Sequence, residues 1–465
     1  MMNRWLLPIL VLAALIRFAY QEGMLYYGGN FHNGSDSGKY LVIAETIVET
    51  GIFGRMSDQG VQPELNRMPV YPYFLAGIFK IFGDGNLQAV ARVQIFIDLI
   101  TIFGIALSAA AINRALVIPS ALVAAVIPNL LVHTSYVLTE NLFLLFFTWG
   151  MCATLWAIKG HKTLGMLIAA GLLFGIALYT RPVMMFFPLF LFPTLVYAFH
   201  VTAKETISRI ILLSTIPVII MLLAASPRVA SNYTKYGHVV FTSQSGNHLL
   251  KWVYPCLRTP WSCASHGDTW KENAPIIEKR LSEVSQQEKA NPFAKDIIMR
   301  ELGMQRIREL GAMQIVTGMI VGAFKNAMQT GAYETLTQFN QPTTFFSAMQ
   351  GRSFTERLSN FLQRNRDNHF MFIWALAQAA LIVSRMVQLF GTWKGLSDKN
   401  VRPYCVFLIA TIIYFLAVNG PIGNPKYRIP TEPAFIILFA IGMNVLARKI
   451  VIPLGRKSQS QSRPN

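Results

Sequence analysis

The sequence predicts an all-α polytopic membrane protein with about ten transmembrane helices, and three observations carry that expectation. Hydrophobic residues make up 53% of the 465-residue chain and charged residues only 14%, against about a quarter charged in an average soluble domain. Ten apolar stretches approach the length that crosses a bilayer. The basic residues between them gather on one side of the implied membrane. In such a protein the distribution of a net charge of +18 matters more than its total, and no nucleic-acid partner is implied.

The apolar stretches fall at residues 5–20, 88–111, 119–132, 142–158, 164–179, 183–199, 210–225, 370–389, 403–418 and 433–447. The first has Arg4 before it and no small-x-small cleavage pattern after it, so it reads as a retained signal anchor. With ten spans, the connections holding Arg114, Lys159 with Lys162, Lys204 with Arg209, and Lys394 with Lys399 share one side with the basic tail. The positive-inside rule makes that side cytoplasmic, so both termini are expected there and the chain is placed in the cytoplasmic membrane. Counting the apolar run 315–324 as a further span would put the tail outside. It reads instead as an amphipathic or buried helix of an outer domain.

This orientation divides the chain into four parts. Residues 1–225 form a transmembrane module with a first outer loop at 21–87. Residues 226–368 are an extracytoplasmic insertion, residues 369–447 carry the last helices, and residues 448–465 are a basic tail. The unusual polar chemistry lies almost wholly in the outer segments.

In the first outer loop, Ser35 or Asp36 suits a helix N-cap. Tyr40, Ala44, Ile47 and Val48 then recur at helical spacing opposite Lys39, Glu45 and Glu49, and Gly51 can end the helix. The pattern describes an interfacial helix whose N-terminus presents Asp36. Next, Arg67-Met68-Pro69-Val70-Tyr71-Pro72 puts prolines in a first helical turn and projects Arg67 just before it; a guanidinium there suits a lipid phosphate. Thr139-Glu140 places a carboxylate at the mouth of an apolar run, where an unpaired acid is costly. Thr180-Arg181-Pro182, the segment from Pro227 to Gly237, and Asn424-Pro425-Lys426-Tyr427-Arg428-Ile429-Pro430 complete the set. Two acids with several cations on one face suit reaction at a phosphate-linked lipid: cations stabilise charge on the departing phosphate while an acid takes a proton from the attacking group.

In this order the elements resemble the GT-C superfamily of polytopic glycosyltransferases, in the branch that holds bacterial aminoarabinose transferases and protein O-mannosyltransferases. The likeness runs from Arg17 to Pro433 through Asp36-x3-Tyr40-x3-Ala44-x6-Gly51, Arg67-x-Pro69-x-Tyr71-Pro72, Phe82-Gly83 with Arg92, Thr139-Glu140, Arg181-Pro182, Pro227 through Gly237, and Tyr427-Arg428-x-Pro430. The resemblance implies transfer of a sugar from a polyprenyl-phosphate donor to a lipid, glycan or protein acceptor on the outer face of the membrane. It implies Asp36 as the catalytic acid and Glu140 as a second acid. Arg67, Arg181 and Arg428 would contact donor phosphate, and Tyr40, Tyr71 and Tyr427 would line the site. Many relatives carry Asp-Glu where this chain has Asp36-Ser37, and the insertion matches only at its start. The expected scheme is inverting single displacement. It requires no cofactor and assigns no metal ligand, while leaving room for a divalent ion.

Cys152 and Cys405 lie in apolar runs and read as packing residues. Cys256 and Cys263 lie in a polar outer stretch, where a disulfide is open to them in an oxidising compartment; a zinc site with His266 lacks an evident fourth ligand. Two alternative functions share some of these features. A polyprenyl-linked glycan ligase or polymerase would use the same donor chemistry. A lipid or solute transporter would be expected to show internal repeats and polar mid-membrane helices, and neither is evident.

Overall fold

The computed structural model describes residues 4–32, 34–203, 205–263, 266–340, 353–364, 366 and 370–458. Eight of its helices are long and apolar enough to cross a membrane. The N-terminal module runs α1 (Leu6–Tyr26), α2 (Gly34–Thr50), a two-stranded hairpin of β1 (Gly54–Ser57) and β2 (Gly60–Pro63), then α3 (Val70–Phe82) and α4 (Leu87–Ile112). It continues with α5 (Val117–Val126), α6 (Pro128–His133), α7 (Glu140–Ile158), α8 (Thr163–Thr180), α9 (Pro188–Thr202) and α10 (Ile207–Tyr236). Long helices at Phe370–Ser397, Arg402–Asn419 and Glu432–Ser458 close the chain. Helices α4, α7, α8 and α10 pack in succession, and large apolar side chains such as Leu15, Leu212 and Leu389 stay more than 60% exposed, as a lipid-facing surface requires.

Two of the ten expected spans are not single long helices. The stretch 119–132 is broken at Ile127, whose backbone is extended (φ −65°, ψ 121°) between α5 and α6. Pro128 causes the break, because its ring disfavours helical geometry in the residue before it. The stretch 183–199 opens as a 3₁₀ turn at Pro182–Met184 and becomes helical only from Pro188. The helix begun at 210–225 instead continues to Tyr236 and stops at Gly237, where φ is +75°. The run 315–324 lies in a helix, Ala312–Met328, that meets Ala294–Glu309 at 106°.

One buried ion pair pins the membrane module. Arg17 and Asp98 are 0% and 1% exposed, and Arg17 Nε donates to the Asp98 carboxylate at 2.5 Å. The same guanidinium donates to the carbonyls of Ala125 (2.7 Å) and Ala124 (3.2 Å) at the end of α5. Those carbonyls lose their helical partners where α5 stops, so Arg17 supplies what Pro128 removed and joins α1, α4 and α5. The insertion has a smaller core of Leu250, Tyr254, Ile277, Ile298, Met299 and Leu302. Cys256 and Cys263 are disulfide-bonded there. The side chain of His266, the third ligand of the alternative zinc reading, lies outside the described residues.

Candidate active site

The site is built on the tight segment between β2 and α3. Glu64 is buried, and its Oε1 accepts the backbone N–H groups of Asn66 (2.6 Å) and Arg67 (2.8 Å), while its Oε2 accepts Arg55 Nε at 2.5 Å. From the other side Arg228 of α10 donates to the carbonyls of Leu65 (3.1 Å), Arg67 (3.3 Å) and Phe241 (2.8 Å). Thr242 and Gln244 donate to the Asn66 carbonyl at 2.9 and 2.6 Å. Nearly every polar backbone group of 65–67 is thus tied, which fixes where the Arg67 side chain leaves the chain.

Arg67 reaches across to α2. Its Nη2 donates to Asp36 Oδ1 at 2.9 Å and its Nη1 to the Tyr40 hydroxyl at 3.3 Å, with the guanidinium 5.0 Å over the Tyr40 ring. The apolar face expected of α2 is the buried one: Tyr40, Ala44 and Ile47 pack inward while Glu45 and Glu49 are exposed. Asp36 lies in the first turn of α2, which begins at Gly34, rather than at its cap. Helix polarity favours a carboxylate there. Lys426 Nζ donates to Asp36 Oδ2 at 3.3 Å, and Lys39 Nζ stands 3.7 Å from Oδ1. Burial by itself would push the Asp36 carboxyl up; Lys426 and Arg67 outweigh it and hold the carboxyl below its ordinary value.

Glu140 opens α7 and pairs with Arg181, which follows the end of α8. Both are largely buried, so each is compensated by the other, as a membrane interior demands. Arg181, Glu140 and Asp36 all act electrostatically on Tyr40, and Lys426 and His133 on Glu140, so the two ion pairs belong to one cluster. Tyr427 adjoins Lys426, whose ammonium is 5.5 Å from the ring centroid.

The structure gathers Asp36, Glu140, Arg67, Arg181, Tyr40 and Tyr427, sets Tyr71 behind Tyr40, and places Arg428 apart from them. Arg428 is 1% exposed; it donates to Glu432 at 2.6 Å and to the carbonyls of Asn326, Ala327 and Gln329. It clamps the start of the last helix to the end of Ala312–Met328. The turn Pro425–Arg428 is helical, so residues two apart point in nearly opposite directions, and Lys426 is the one that faces Asp36. Tyr71 is fully buried: it stands edge-on to Tyr40 at 5.4 Å and donates to Gln94 at 3.0 Å, backing the site without lining it. Sequence reasoning also passed over His133, at the end of α6, and Glu64, and it took in Arg228 only as part of the segment from Pro227 to Gly237, with no role. Among the described residues no group of three or more His, Cys, Asp or Glu side chains is arranged to hold a metal ion.

Residues 62–230 match the family described as dolichyl-phosphate-mannose-protein mannosyltransferase. No curated protein matches the sequence. The fold is similar to the apo oligosaccharyltransferase of Archaeoglobus fulgidus, with TM-score 0.56, 12% identity, and coverage of 100% of this chain and 53% of that one. It is also similar to the oligosaccharyltransferase AglB of the same organism in complex with an inhibitory peptide and a dolichol-phosphate (TM-score 0.54, 12% identity, 99% and 52% covered). The chain therefore spans about half the length of those proteins. ArnT from Cupriavidus metallidurans bound to undecaprenyl phosphate aligns more loosely, at TM-score 0.40 and 14% identity, over 95% of this chain and 79% of that one.

Proposed function

We propose that this chain is a polytopic membrane glycosyltransferase of GT-C type, which transfers one sugar from a polyprenyl-phosphate donor to an acceptor hydroxyl or amine; the family match over residues 62–230 and the likeness of fold support that reading. The observation that carries this reading is the Asp36 carboxylate held between Arg67 and Lys426, with the Glu140–Arg181 pair in the same cluster. Phosphate is the ligand for which three cations at a membrane boundary are suited. Beside them, an apolar cavity of about 550 Å³ between α3, α8 and α10 is lined by Val70, Ile176, Tyr179 and Leu223. Val70 stands three residues from Arg67 and Tyr179 two from Arg181, so a lipid phosphate bound by the arginines has a place for its first prenyl units.

In the proposed step the acceptor atom attacks the anomeric carbon from the face opposite the phosphate. The new glycosidic bond forms as the carbon–oxygen bond to phosphate breaks, its electron pair leaving on the phosphate. Asp36 takes the acceptor proton. In the free protein its carboxylate is a weak base, because two cations hold it ionised. An incoming phosphate competes for Arg67 and Lys426, frees the carboxylate and raises its basicity where the proton is released. Arg67, Arg181 and Lys426 neutralise the departing polyprenyl phosphate. Glu140 keeps Arg181 in place, and the scheme itself requires no cofactor.

We place this chemistry on the outer face of the cytoplasmic membrane, with both termini inside. The basic inner loops support that orientation, and so does the Cys256–Cys263 disulfide, which suits an oxidising compartment. The acceptor is a lipid, glycan or protein presented at that face. Membranes carrying the protein should transfer label from a polyprenyl-phosphate sugar, and Arg67→Ala should raise the donor concentration needed. Transfer that ignores Arg67→Ala and Arg181→Ala would defeat the phosphate assignment.

A further inference from the structure

The Arg67–Arg181 end of the site offers donors, whereas a neighbouring group of side chains offers acceptors. Asn129, His133 and Glu334 are 1%, 3% and 8% exposed. Asn129 Oδ1, His133 Nε2 and Glu334 Oε2 are buried without a hydrogen-bond partner among the described residues. Buried polar atoms are nearly always paired, and an unpaired one is costly, so three together point to a ligand that pairs them.

Their character as acceptors follows from the bonds on the other side of two of these groups. Asn129 Nδ2 donates to the Pro425 carbonyl (3.3 Å) and to the Glu432 carboxylate (3.0 Å). Both partners accept only, so the amide cannot be turned and Oδ1 is the free end. His133 Nδ1 lies 2.8 Å from the Asn129 carbonyl, which keeps the proton on Nδ1 and leaves a lone pair on Nε2. Burial pushes His133 down from its ordinary pKa and so favours that neutral form.

Asn129 and His133 stand four residues apart on α6, on one face of it, and Glu334 lies on the helix packed against α6. Helix α6 lies against the short helix Ala332–Gln338, with Gln338 Nε2 donating to the Val132 carbonyl at 3.4 Å and the Tyr136 hydroxyl to the Glu334 carbonyl at 3.3 Å. Gly331, at φ +76°, brings the backbone so near that a Cβ there would stand 3.4 Å from Asn129 Oδ1. Lys426, which bonds Asp36, also acts electrostatically on both His133 and Glu334. One ammonium therefore links the acceptor group to the reacting end of the site.

Burial pushes the Glu334 carboxyl up from its ordinary pKa, so it can donate as well as accept; with two unpaired acceptors beside it, the group suits a ligand rich in hydroxyls, which do both. We propose that Asn129, His133 and Glu334 form the subsite that binds hydroxyl groups of the donor sugar, and so help to choose which sugar is transferred. The inference rests on the reading of the cluster as a polyprenyl-phosphate sugar site. Glu334 lies outside the segment that matches the mannosyltransferase family, so this part of the sugar contact belongs to the chain's C-terminal half.

The test is binding by the purified full-length chain in lipid nanodiscs. Its probes are bare polyprenyl phosphate and polyprenyl phosphates carrying mannose, glucose, galactose or arabinose. Wild type should bind at least one sugar-bearing lipid about 10- to 100-fold more tightly than the bare lipid, the worth of one or two buried hydrogen bonds. His133→Phe and Glu334→Leu should cut that ratio to within about threefold, while each variant still binds the bare lipid. His133→Gln, which keeps an acceptor oxygen, should restore part of it.

The bare lipid reports folding in each variant. Equal loss of both ligands in both variants, a sugar preference that survives them, or none in wild type would overturn the subsite. A preference that depends on His133 in a protein that transfers no sugar would uphold the subsite and defeat the catalytic reading instead.

Discussion

The Glu64 carboxylate accepts the backbone N–H of Arg67 at 2.8 Å, so a buried acid three residues upstream sets where the guanidinium that meets Asp36 emerges. Glu64 touches none of the reacting groups; it acts through the backbone it holds. Glu64→Ala should lower kcat/KM for the donor by about 100-fold, the scale of a 1 Å misplacement, with Glu64→Gln in between. Steady-state kinetics against donor concentration would check it, and an unchanged kcat/KM would show that the 65–67 segment holds its position without this acid.

Lys426 and Arg428 lie two residues apart and should fail differently. Lys426→Met removes a cation that bonds Asp36; it should reduce kcat/KM by about 100-fold, on the scale of a lost electrostatic stabiliser, with little change in melting temperature. Arg428→Met leaves Glu432 buried without its cation and should cost about 3–5 kcal/mol of stability. Thermal unfolding and transfer assays on the same detergent-solubilised preparations separate the two effects.

The pH dependence follows from the direction of the Asp36 shift. Its folded value lies below its unfolded one, so its charge favours the fold at all pH above the unfolded value of about 3.9. That contribution is lost as pH falls through the lower, folded value. In kcat/KM, which reports the free enzyme, wild type should show no Asp36 limb down to about pH 5. Lys426→Met leaves burial less opposed, so an acid limb should move to higher pH in that variant. A profile identical to wild type would remove Lys426 as a neighbour of the titrating acid.

Much of this arrangement was legible in the sequence, and the rest was hidden for physical reasons. Period and hydropathy located the helices, and the α2 pattern named the face that Tyr40, Ala44 and Ile47 bury. A hydropathy run does not register a backbone break, so 119–132 read as one span although Pro128 divides it. The turn Pro425–Arg428 was visible as a motif, yet which of its cations faces the site depends on a single helical turn whose rotation no spacing gives. His133 ends an apolar run, and its partner near in sequence is a backbone carbonyl one turn back, which marks no site. Lys426, which acts on it, arrives from about 300 residues away, by packing alone.

The Arg17–Asp98 pair supplies a stability test remote from the cluster. Either single change, Arg17→Leu or Asp98→Leu, should cost about 3–5 kcal/mol by leaving a buried charge. The double change should recover much of the loss in the Asp98 partnership, although Arg17 also serves the Ala124 and Ala125 carbonyls. Melting temperatures of the three variants, arranged as a double-mutant cycle, give the coupling; additive losses would show that the pair does not act as a unit.

The most direct test of the central claim compares transfer from radiolabelled polyprenyl-phosphate sugars in membranes carrying wild type or Asp36→Asn at equal expression. The account predicts donor-dependent labelling of an acceptor by wild type and a loss of at least about 100-fold in the variant, the contribution expected of a positioned proton acceptor. Labelling at the wild-type rate by a folded Asp36→Asn protein would contradict it, and would reduce Asp36 to a first-turn carboxylate that only steadies α2.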